Sequence, residues 1–218
     1  MTVKDNTIMG PGVETSGRFV DALHGRRRAL LIGICYEQTP DWGTLSMPHK
    51  DVDRLQELLL GTYNYRPEDV YVMKDHESTR AGLRPTRANI IRMLHQLVHD
   101  AKAGDRFVFL FSGHCDQQIA RHDLREEDGQ DEAIITCDNR KIIDNRLRKI
   151  LVNNLPSGSN LMAIFDTCHS GTLLDLPHYH CNQLYVPWIS RSHRTSSTLR
   201  AANSAGMKSV RILLPRSC

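Results

Sequence analysis

Residues 105–114 read D-R-F-V-F-L-F-S-G-H. The apolar run Phe107–Phe111 has the length of a strand, and an unbroken apolar run is typical of a strand covered on both faces in a parallel sheet. Ser112, Gly113 and His114 follow where this strand ends. Because ligands of parallel α/β sheets bind beyond the carboxyl ends of the strands, His114 is a candidate functional residue.

Similar apolar runs occur on both sides of this stretch and alternate with segments of helical periodicity. Strands are predicted over residues 29–35, 69–74, 105–111 and 160–165, and helices over residues 52–61, 86–101 and 145–152. The acidic stretch 116–132 is interpreted as a solvated loop, followed by a short hairpin strand over 133–136. Strands and helices that alternate in this way predict βαβ units, and hence an α/β fold with a parallel sheet.

Composition restricts the class of protein. The chain has 218 residues, 40% of them hydrophobic and 24% charged, which is typical of a globular protein of one domain or slightly more. No apolar run approaches the roughly 20 residues that a membrane span needs. The net charge is only +3, and the one basic cluster, Arg26–Arg28, precedes a strand. We therefore expect neither a nucleic-acid partner nor a membrane partner.

The cysteines favour a reducing compartment. Six cysteines are present without a C-x-x-C pair, and residues 1–25 do not read as an export signal. We therefore expect reduced thiols and a cytoplasmic location. The group of His169, His178, His180 and Cys181 lacks the paired spacing of a structural zinc site.

A second polar motif follows the strand predicted over 160–165, and it reads D-T-C-H-S-G at 166–171. If this strand and strand 105–111 are neighbours, Cys168 and His114 project into one cleft, and a thiol beside an imidazole is an activated nucleophile. The small-residue turn after Cys168 leaves backbone amides free to face an oxyanion. Asp166 lies on the same side of the strand as the thiol and is better placed to bind a cation, which predicts a basic substrate group.

These two motifs carry a family resemblance. F-S-G-H-C at 111–115 and D-T-C-H-S-G at 166–171 closely resemble the histidine and cysteine boxes of type I metacaspases, the caspase-like cysteine proteases of fungi, plants and protists. Such a signature has its histidine about 50 residues upstream of the cysteine, and here the interval is 54. The resemblance covers about residues 26–189 and implies a caspase-like three-layer sandwich with a mainly parallel central sheet. An extension (1–25) would precede this domain, and a flexible linker or tail (190–218) would follow it, in which residues 210–218 have room for at most one short strand.

The resemblance implies a cysteine endopeptidase that cleaves after Arg or Lys in protein and peptide substrates. Cys168 would be the nucleophile and His114 the general base and acid, while the backbone amides of Cys115 and Cys168 would form the oxyanion hole. The positions that match the acidic pocket for the basic side chain are Asp51, Ser112 and Asp166. Two carboxylates facing one guanidinium give a charge-assisted contact.

The resemblance also implies stimulation by calcium (Ca²⁺). The matching oxygen ligands are Asp128, Asp144, Asn145 and Asp175. Asn145 stands where most relatives have a second acid. Because calcium affinity depends on the number of ligand charges, we expect the affinity to fall to about millimolar or weaker. A solvated acidic loop is the alternative interpretation of this region.

Two departures from the family pattern support an alternative function. Cys115 occupies a position that is Gly in the family, and if that position needs a positive φ, its Cβ would cost about 1–3 kcal/mol of strain; its thiol could also pair with Cys168. The chain would also lack the strands of the family's small subunit, which would leave an open sheet edge. The alternative is a catalytically impaired, large-subunit-like module that binds and regulates a full-length metacaspase, or pairs with a separate small subunit. A papain-like protease is less consistent with the order of the two motifs.

Overall fold

A computed structural model describes residues 25–39, 41–119, 130–167 and 209–213. The strands in these ranges are β1 (Arg27–Gly33), β2 (Val70–Lys74), β3 (Arg106–Ser112), β4 (Cys115–Ile119), β5 (Gln130–Ile135), β6 (Lys141–Ile143), β7 (Asn160–Asp166) and β8 (Ser209–Leu213). The helices are α1 (Pro48–Gly61), α2 (Arg87–Val98) and α3 (Asp144–Arg148), the last continuing into a π-helical turn (Lys149–Asn153). None of the helices in the described ranges is long and apolar enough to cross a bilayer.

Five strands form the central sheet in the order β2-β1-β3-β7-β8, and every neighbouring pair is parallel. The strands predicted from their apolar runs are therefore present, and β3 and β7 are neighbours, as the sequence argument required. The parallel α/β fold is confirmed. The register places Gly33, Ser112 and Asp166 side by side at the carboxyl ends of β1, β3 and β7. This edge of the sheet therefore collects the polar residues that follow the strands.

Helices cover both faces of the central sheet, because alternate residues of each strand point to opposite faces. On one face the buried cluster comprises Ala29, Leu31, Val108 and Leu110 of the strands together with Val52 and Leu59 of α1. On the other face the larger cluster includes Leu30, Ile32, Phe107, Phe109 and Phe111 together with Ile90, Leu94 and Leu97 of α2. Burying one such side chain contributes about 1.5–3 kcal/mol relative to its exposure. The architecture is the predicted three-layer sandwich.

The basic cluster Arg26–Arg28 lies at the start of β1 and is partly internal, which corrects the expectation of a solvated strand entrance. Arg28 is only 7% exposed and lies 3.7 Å from Asp105. Its guanidinium also donates a 2.6 Å hydrogen bond to the carbonyl of His99, just beyond α2. A cation at a helix C-terminus interacts favourably with the helix dipole. Arg28 therefore fastens α2 to the start of the sheet.

A smaller antiparallel sheet, in the order β4-β5-β6, contains part of the segment that was interpreted as a solvated loop. β4 begins at Cys115, directly after His114, and pairs with β5, so both ends of the stretch 116–132 are strand. Period-two apolar alternation is absent from β4, which is the reason that the sequence gives little strand signal there. Residues 120–129 lie outside the described part of the chain.

A strand also occurs within the segment that the sequence analysis assigned to a linker or tail. Ser209–Leu213 forms β8 and pairs with β7 in parallel. The outer edge of β7, which was expected to be open, is therefore occupied, and β8 is the edge strand on that side of the described sheet. The rest of 190–218 lies outside the described residues.

Candidate active site

The imidazole of His114 is oriented by a backbone carbonyl. Its Nε2 atom lies 2.6 Å from the carbonyl oxygen of Gly43, in the loop between β1 and α1. Because a carbonyl oxygen only accepts hydrogen bonds, Nε2 carries the proton. In the neutral ring Nδ1 is then the free acceptor, and it is the atom that can take a proton from a nucleophile.

The loop that carries Gly43 is anchored at several points. The amide of Leu45 donates to the carbonyl of Cys35 at 2.9 Å, and the indole of Trp42 donates to the side chain of Asn139 at 2.8 Å. The Trp42 ring also contacts the His114 ring, with centroids 5.4 Å apart. The loop therefore holds the histidine both by a hydrogen bond and by ring contact.

Tyr36 fixes the backbone of the histidine. Its hydroxyl accepts a 2.9 Å hydrogen bond from the amide of His114 and donates a 2.7 Å bond to the carbonyl of Ile135 in β5. Burial raises the pKa of Tyr36 far above its usual range, so the phenol stays protonated. The Tyr36 and His114 rings lie 4.7 Å apart. A Cβ on Gly113 would stand 2.8 Å from the phenol oxygen, so only glycine allows this approach.

Asp51, Ser112 and Asp166 converge at the carboxyl edge of the central sheet. Ser112 is 2% exposed, and its hydroxyl donates to the carboxylate of Asp51 at 3.3 Å. Asp166 is the register neighbour of Ser112 on β7, and its carboxyl group is close enough to Asp51 to be affected by that charge. Arg54 lies 3.9 Å from Asp51, but its side chain is 70% exposed, so this ion pair is weak. The structure thus brings together the three residues that match the substrate pocket.

Asp51 reaches this edge because α1 starts close to β1. The helix begins at Pro48, earlier than the apolar periodicity predicts, with proline in the first turn and Asp51 as the acid of that turn. A Cβ on Gly33 would lie 2.6 Å from the carbonyl oxygen of Pro48, well inside van der Waals contact. Glycine at position 33 therefore permits the helix to place its acid beside Ser112.

The two acids of this cluster affect each other. Although Asp166 as a residue is exposed, partial burial of its carboxyl group, followed by the negative charge of Asp51, raises the pKa of Asp166. A positively charged ligand between the two carboxylates would remove this repulsion. The cluster is therefore electrostatically suited to a cation, as a protein site for Arg or Lys side chains must be.

Cys115 does not show the strain that its position suggested. It lies in β4, and its φ is not among the positive values of the described residues. The amide of Ile135 donates to the carbonyl of His114, so Cys115 and Ile134 form a non-hydrogen-bonded pair of the antiparallel ladder. In such a pair the amide of Cys115 points away from β5. This direction is compatible with the predicted role of the amide in an oxyanion hole.

The Cys115 thiol is a core group. It is buried in the larger hydrophobic cluster, and burial raises the pKa of Cys115 to about 12. At pH 8 the thiolate fraction is therefore small, so we expect Cys115 to resist iodoacetamide in the folded protein and to react rapidly in urea. Peptide mass spectrometry after a timed reaction measures both rates. Equal labelling of Cys115 under the two conditions would contradict this prediction.

Several predicted site residues lie outside the described ranges: Asp128, Cys168 and Asp175. Of the predicted calcium ligands, Asp144 and Asn145 are described. Asp144 is fully buried at the start of α3, and its carboxylate accepts the amides of Glu132 and Asn145. Glu132 is also buried, at 3% exposure. Buried acids of this kind are an oxygen-rich donor set of the type that calcium prefers.

The sequence analysis did not identify the residues that position His114. Tyr36, Trp42 and Gly43 belong to the segment after β1, whose contact with His114 depends on a turn at Tyr36 with φ of 62°. A positive φ at a tyrosine has no sequence signature. The apolar strand followed by a loop rich in Gly and Pro was the available signal, and it indicated only that a loop leaves this sheet edge.

Comparison with known proteins identifies the family. A family model described as "Metacaspase, peptidase C14 domain" matches residues 27–177, which is well over half of the chain. The chain belongs to the metacaspase family. It is 41% identical over 162 residues to Metacaspase-1 of Coccidioides immitis and 40% identical over 178 residues to Metacaspase-1B of Aspergillus oryzae.

These metacaspase alignments cover 73% and 80% of this chain, but only 34% and 42% of the two fungal relatives. The chain thus spans about two fifths or less of their length. Among solved structures, a protein of Geobacter sulfurreducens superimposes with a TM-score of 0.52 at 23% identity, covering 71% of this chain and 55% of that one. At that identity the match shows a shared fold alone.

Proposed function

We propose that this metacaspase is a cysteine endopeptidase that cleaves after Arg or Lys by means of His114 and Cys168 and is stimulated by calcium. The observation that carries the proposal is the convergence of Asp51, Ser112 and Asp166 at the sheet edge where His114 follows β3. An acidic cluster at the sheet edge that also carries His114 is suited to a substrate with a basic side chain next to the scissile bond.

In the proposed reaction His114 takes the thiol proton of Cys168 at Nδ1, and the thiolate attacks the carbonyl carbon of the scissile bond. The Gly43 carbonyl supports this step, because it holds the Nε2 proton and stabilises the imidazolium that forms. The amide of Cys115 would donate to the oxyanion. The amine then leaves with the proton from His114, and water releases the acyl group by the reverse sequence of proton transfers.

The substrate preference follows from charge. Partial burial, and after it the negative charge of Asp51, raises the pKa of Asp166, so the two carboxylates of the acidic cluster repel each other in the free enzyme. A guanidinium or ammonium group compensates both charges, whereas a neutral or acidic side chain leaves them uncompensated. Arg should exceed Lys, since the planar guanidinium can bind two carboxylates in a bidentate manner.

The test is turnover of fluorogenic peptide amides that differ only in the residue before the amide: Arg, Lys, Gln and Asp. We expect measurable hydrolysis of the Arg and Lys substrates, and none of the Asp substrate above the rate of a Cys168→Ala control. Adding Ca²⁺ should increase the rate where the same concentration of Mg²⁺ does not. Rates equal to those of Cys168→Ala with every substrate and with calcium in excess would reject the proposal.

Calcium stimulation rests on the acidic region after β4. Asp144 and Asn145 would supply oxygen ligands, with Asp128 and Asp175 as the other proposed ones. The burial of Asp144 and Glu132 supports an oxygen-rich site in this part of the protein, and the metal would there neutralise buried negative charge. Because Asn145 is neutral, the proposed affinity is about millimolar or weaker.

The structure gives less support to the alternative function, a non-catalytic regulatory module. One of the two observations that suggested it, strain at Cys115, does not apply to a residue in regular strand geometry. The other, pairing through an open edge with a full-length relative or a separate small subunit, would now involve β8 and not β7. Mass measurement by size exclusion, with and without such a relative, distinguishes the alternative from the peptidase proposal.

A further inference from the structure

Cys35, His49 and Asp75 form a second cluster of chemically active side chains on the far side of Tyr36 from His114. Cys35 follows β1, His49 is in the first turn of α1, and Asp75 follows β2. One potential ligand atom from each of the three lies within 4.8 Å of the others. None of these residues belongs to the proposed catalytic or substrate-binding set.

We propose that Cys35, His49 and Asp75 bind a zinc ion. Thiolate, imidazole and carboxylate are the three side-chain ligands that zinc takes in proteins. Tetrahedral zinc with bonds of about 2.0–2.3 Å needs ligand atoms roughly 3.3–3.8 Å apart. The Nε2 atom of His49 is 2.6 Å from Oδ1 of Asp75, and all three ligand atoms lie within 4.8 Å of one another. To reach the tetrahedral geometry, the shortest of these distances must increase by about 1 Å and the longest must decrease by about 1 Å.

The carboxylate of Asp75 is already held in place for such a role. Its Oδ1 accepts the amide of Cys35 at 2.8 Å, and its Oδ2 accepts the amide of Tyr36 at 2.7 Å. These bonds fix the carboxylate while leaving acceptor capacity, since an ionised carboxylate has about four lone-pair sites. Metal ligands are commonly oriented by such backbone hydrogen bonds.

Charge and burial favour zinc over a hard cation. The side chain of Asp75 is 6% exposed and Cys35 is 5% exposed. When the ion enters, the thiol proton of Cys35 leaves to solvent and the proton that His49 directs at Asp75 moves from Nε2 to Nδ1, so that Nε2 can bind the metal. One thiolate and one carboxylate then balance the two positive charges, and the buried site becomes neutral. Calcium and magnesium need several oxygen ligands, and this cluster offers one carboxylate beside sulfur and nitrogen.

A fourth ligand is available at the solvent side. The His49 side chain is 22% exposed, and the ring of His76, which is exposed, lies 6.4 Å from it edge to face. His76 directly follows Asp75 in the chain and is hydrogen-bonded only to Ser78 among the contacts described for its ring nitrogens. Either a rotated His76 or a water molecule would complete four-coordination.

A second nucleophile is the competing interpretation of a cysteine, a histidine and an aspartate in contact. A nucleophilic cysteine needs access for the substrate, and Cys35 is only 5% exposed. The imidazole nitrogen nearest the cluster is also engaged by the Asp75 carboxylate, 2.6 Å away. The burial and the convergence of three ligand atoms are therefore more consistent with a metal ion than with a second nucleophile.

The experiment is a titration of the metal-free full chain with Co²⁺, a spectroscopic substitute for zinc, in a Cys168→Ala background that removes the proposed catalytic thiol. We expect a thiolate-to-cobalt charge-transfer band that saturates at one equivalent and is abolished by one equivalent of Zn²⁺. The readout is independent of peptidase activity, so it stands or falls separately from the proposed function.

Variants identify the ligands in that titration. Cys35→Ser should remove the band, and His49→Gln should weaken binding by more than the roughly 10–100-fold that loss of an outer-shell partner costs. Cys137→Ser, at a half-buried thiol outside the cluster, should leave the band unchanged. Zinc should also raise the melting temperature of the parent and of Cys137→Ser, but not of Cys35→Ser. Absence of the band in the Cys168→Ala protein, or its persistence when Cys35→Ser is added to that protein, would overturn the proposal.

Discussion

Replacing Asp166 with Asn is expected to lower kcat/KM for an arginyl substrate by about 100-fold, because a bound arginine would desolvate its carboxylate partners, and removing one partner of a desolvated charge pair costs about 2–5 kcal/mol. The loss should be much smaller for a substrate with Gln at the same position, so the Arg-to-Gln preference collapses. Asp51→Asn should act in the same way, since its carboxylate and that of Asp166 form one site.

A matched control is available on the same helix. Asp53 lies two residues after Asp51, but its side chain is 54% exposed and pairs with Lys74 instead of joining the acidic cluster. Asp53→Asn removes the same charge from the chain and should leave the Arg-to-Gln preference unchanged. If Asp166→Asn and Asp53→Asn show the same ratio of kcat/KM for the Arg and Gln substrates, the acidic cluster does not determine specificity.

The same Asp166→Asn variant should be more stable than the parent at neutral pH. The folded-state pKa of Asp166 is raised, so between the ordinary carboxyl pKa of about 3.9 and this higher value the folded state binds more protons than the unfolded state. The contribution of Asp166 to stability therefore falls as the pH rises through this window and stays unfavourable above it. Melting temperatures of the two proteins should differ at pH 7 and converge below about pH 3.9. A lower melting temperature of the variant at pH 7 would contradict the assignment of repulsion to this pair.

Gly33→Ala is expected to destabilise the fold by about 1–3 kcal/mol, the usual cost of inserting a methyl group into a packed interior. The added Cβ would lie 2.6 Å from the Pro48 carbonyl and 2.9 Å from a methyl group of Val52, so the start of α1 must move away from β1. Since Asp51 is carried by that turn, kcat/KM for Arg substrates should fall together with stability.

Gly61→Ala is the control for this substitution. Gly61 is the last residue of the same helix, and a Cβ there meets nothing within 4 Å. Alanine has the higher helix propensity, so this variant should be neutral or slightly stabilised and should keep full activity. Thermal or urea denaturation measures both proteins. If Gly33→Ala melts at the temperature of the parent and cleaves at the parental rate, the proposed reason for the position of Asp51 is wrong.

The parts of the fold that were predictable are those with strong periodicity. The apolar runs at Ala29, Phe107 and Leu161 predicted strands of a covered parallel sheet, and the predicted helix 86–101 is present as α2, with the Thr86 hydroxyl accepting the amide of Asn89 at its start. β4 was missed because its polar residues resemble a solvated loop. Position in the small sheet, and not side-chain pattern, makes that segment a strand.

The candidate site divides in the same way. Asp166 could be assigned because it follows a predicted strand beside the cysteine motif, whereas Asp51 and Ser112 were assigned through the family resemblance, and the sheet's register places Ser112 next to Asp166. The Gly43 carbonyl, the Tyr36 hydroxyl and the Asp75 carboxylate could not, because their roles depend on backbone turns and on hydrogen bonds between segments distant in sequence. A carbonyl group in particular has no residue type by which a sequence could reveal it.

The phenol of Tyr36, in the segment that follows β1, links the backbone of His114 to β5 of the smaller antiparallel sheet through two hydrogen bonds. Because the aromatic ring is rigid, it fixes the distance between the Tyr36 backbone and the two groups that are hydrogen-bonded to its hydroxyl. A displacement of the smaller antiparallel sheet would therefore also displace the backbone of His114, the proposed general base, through this one phenol.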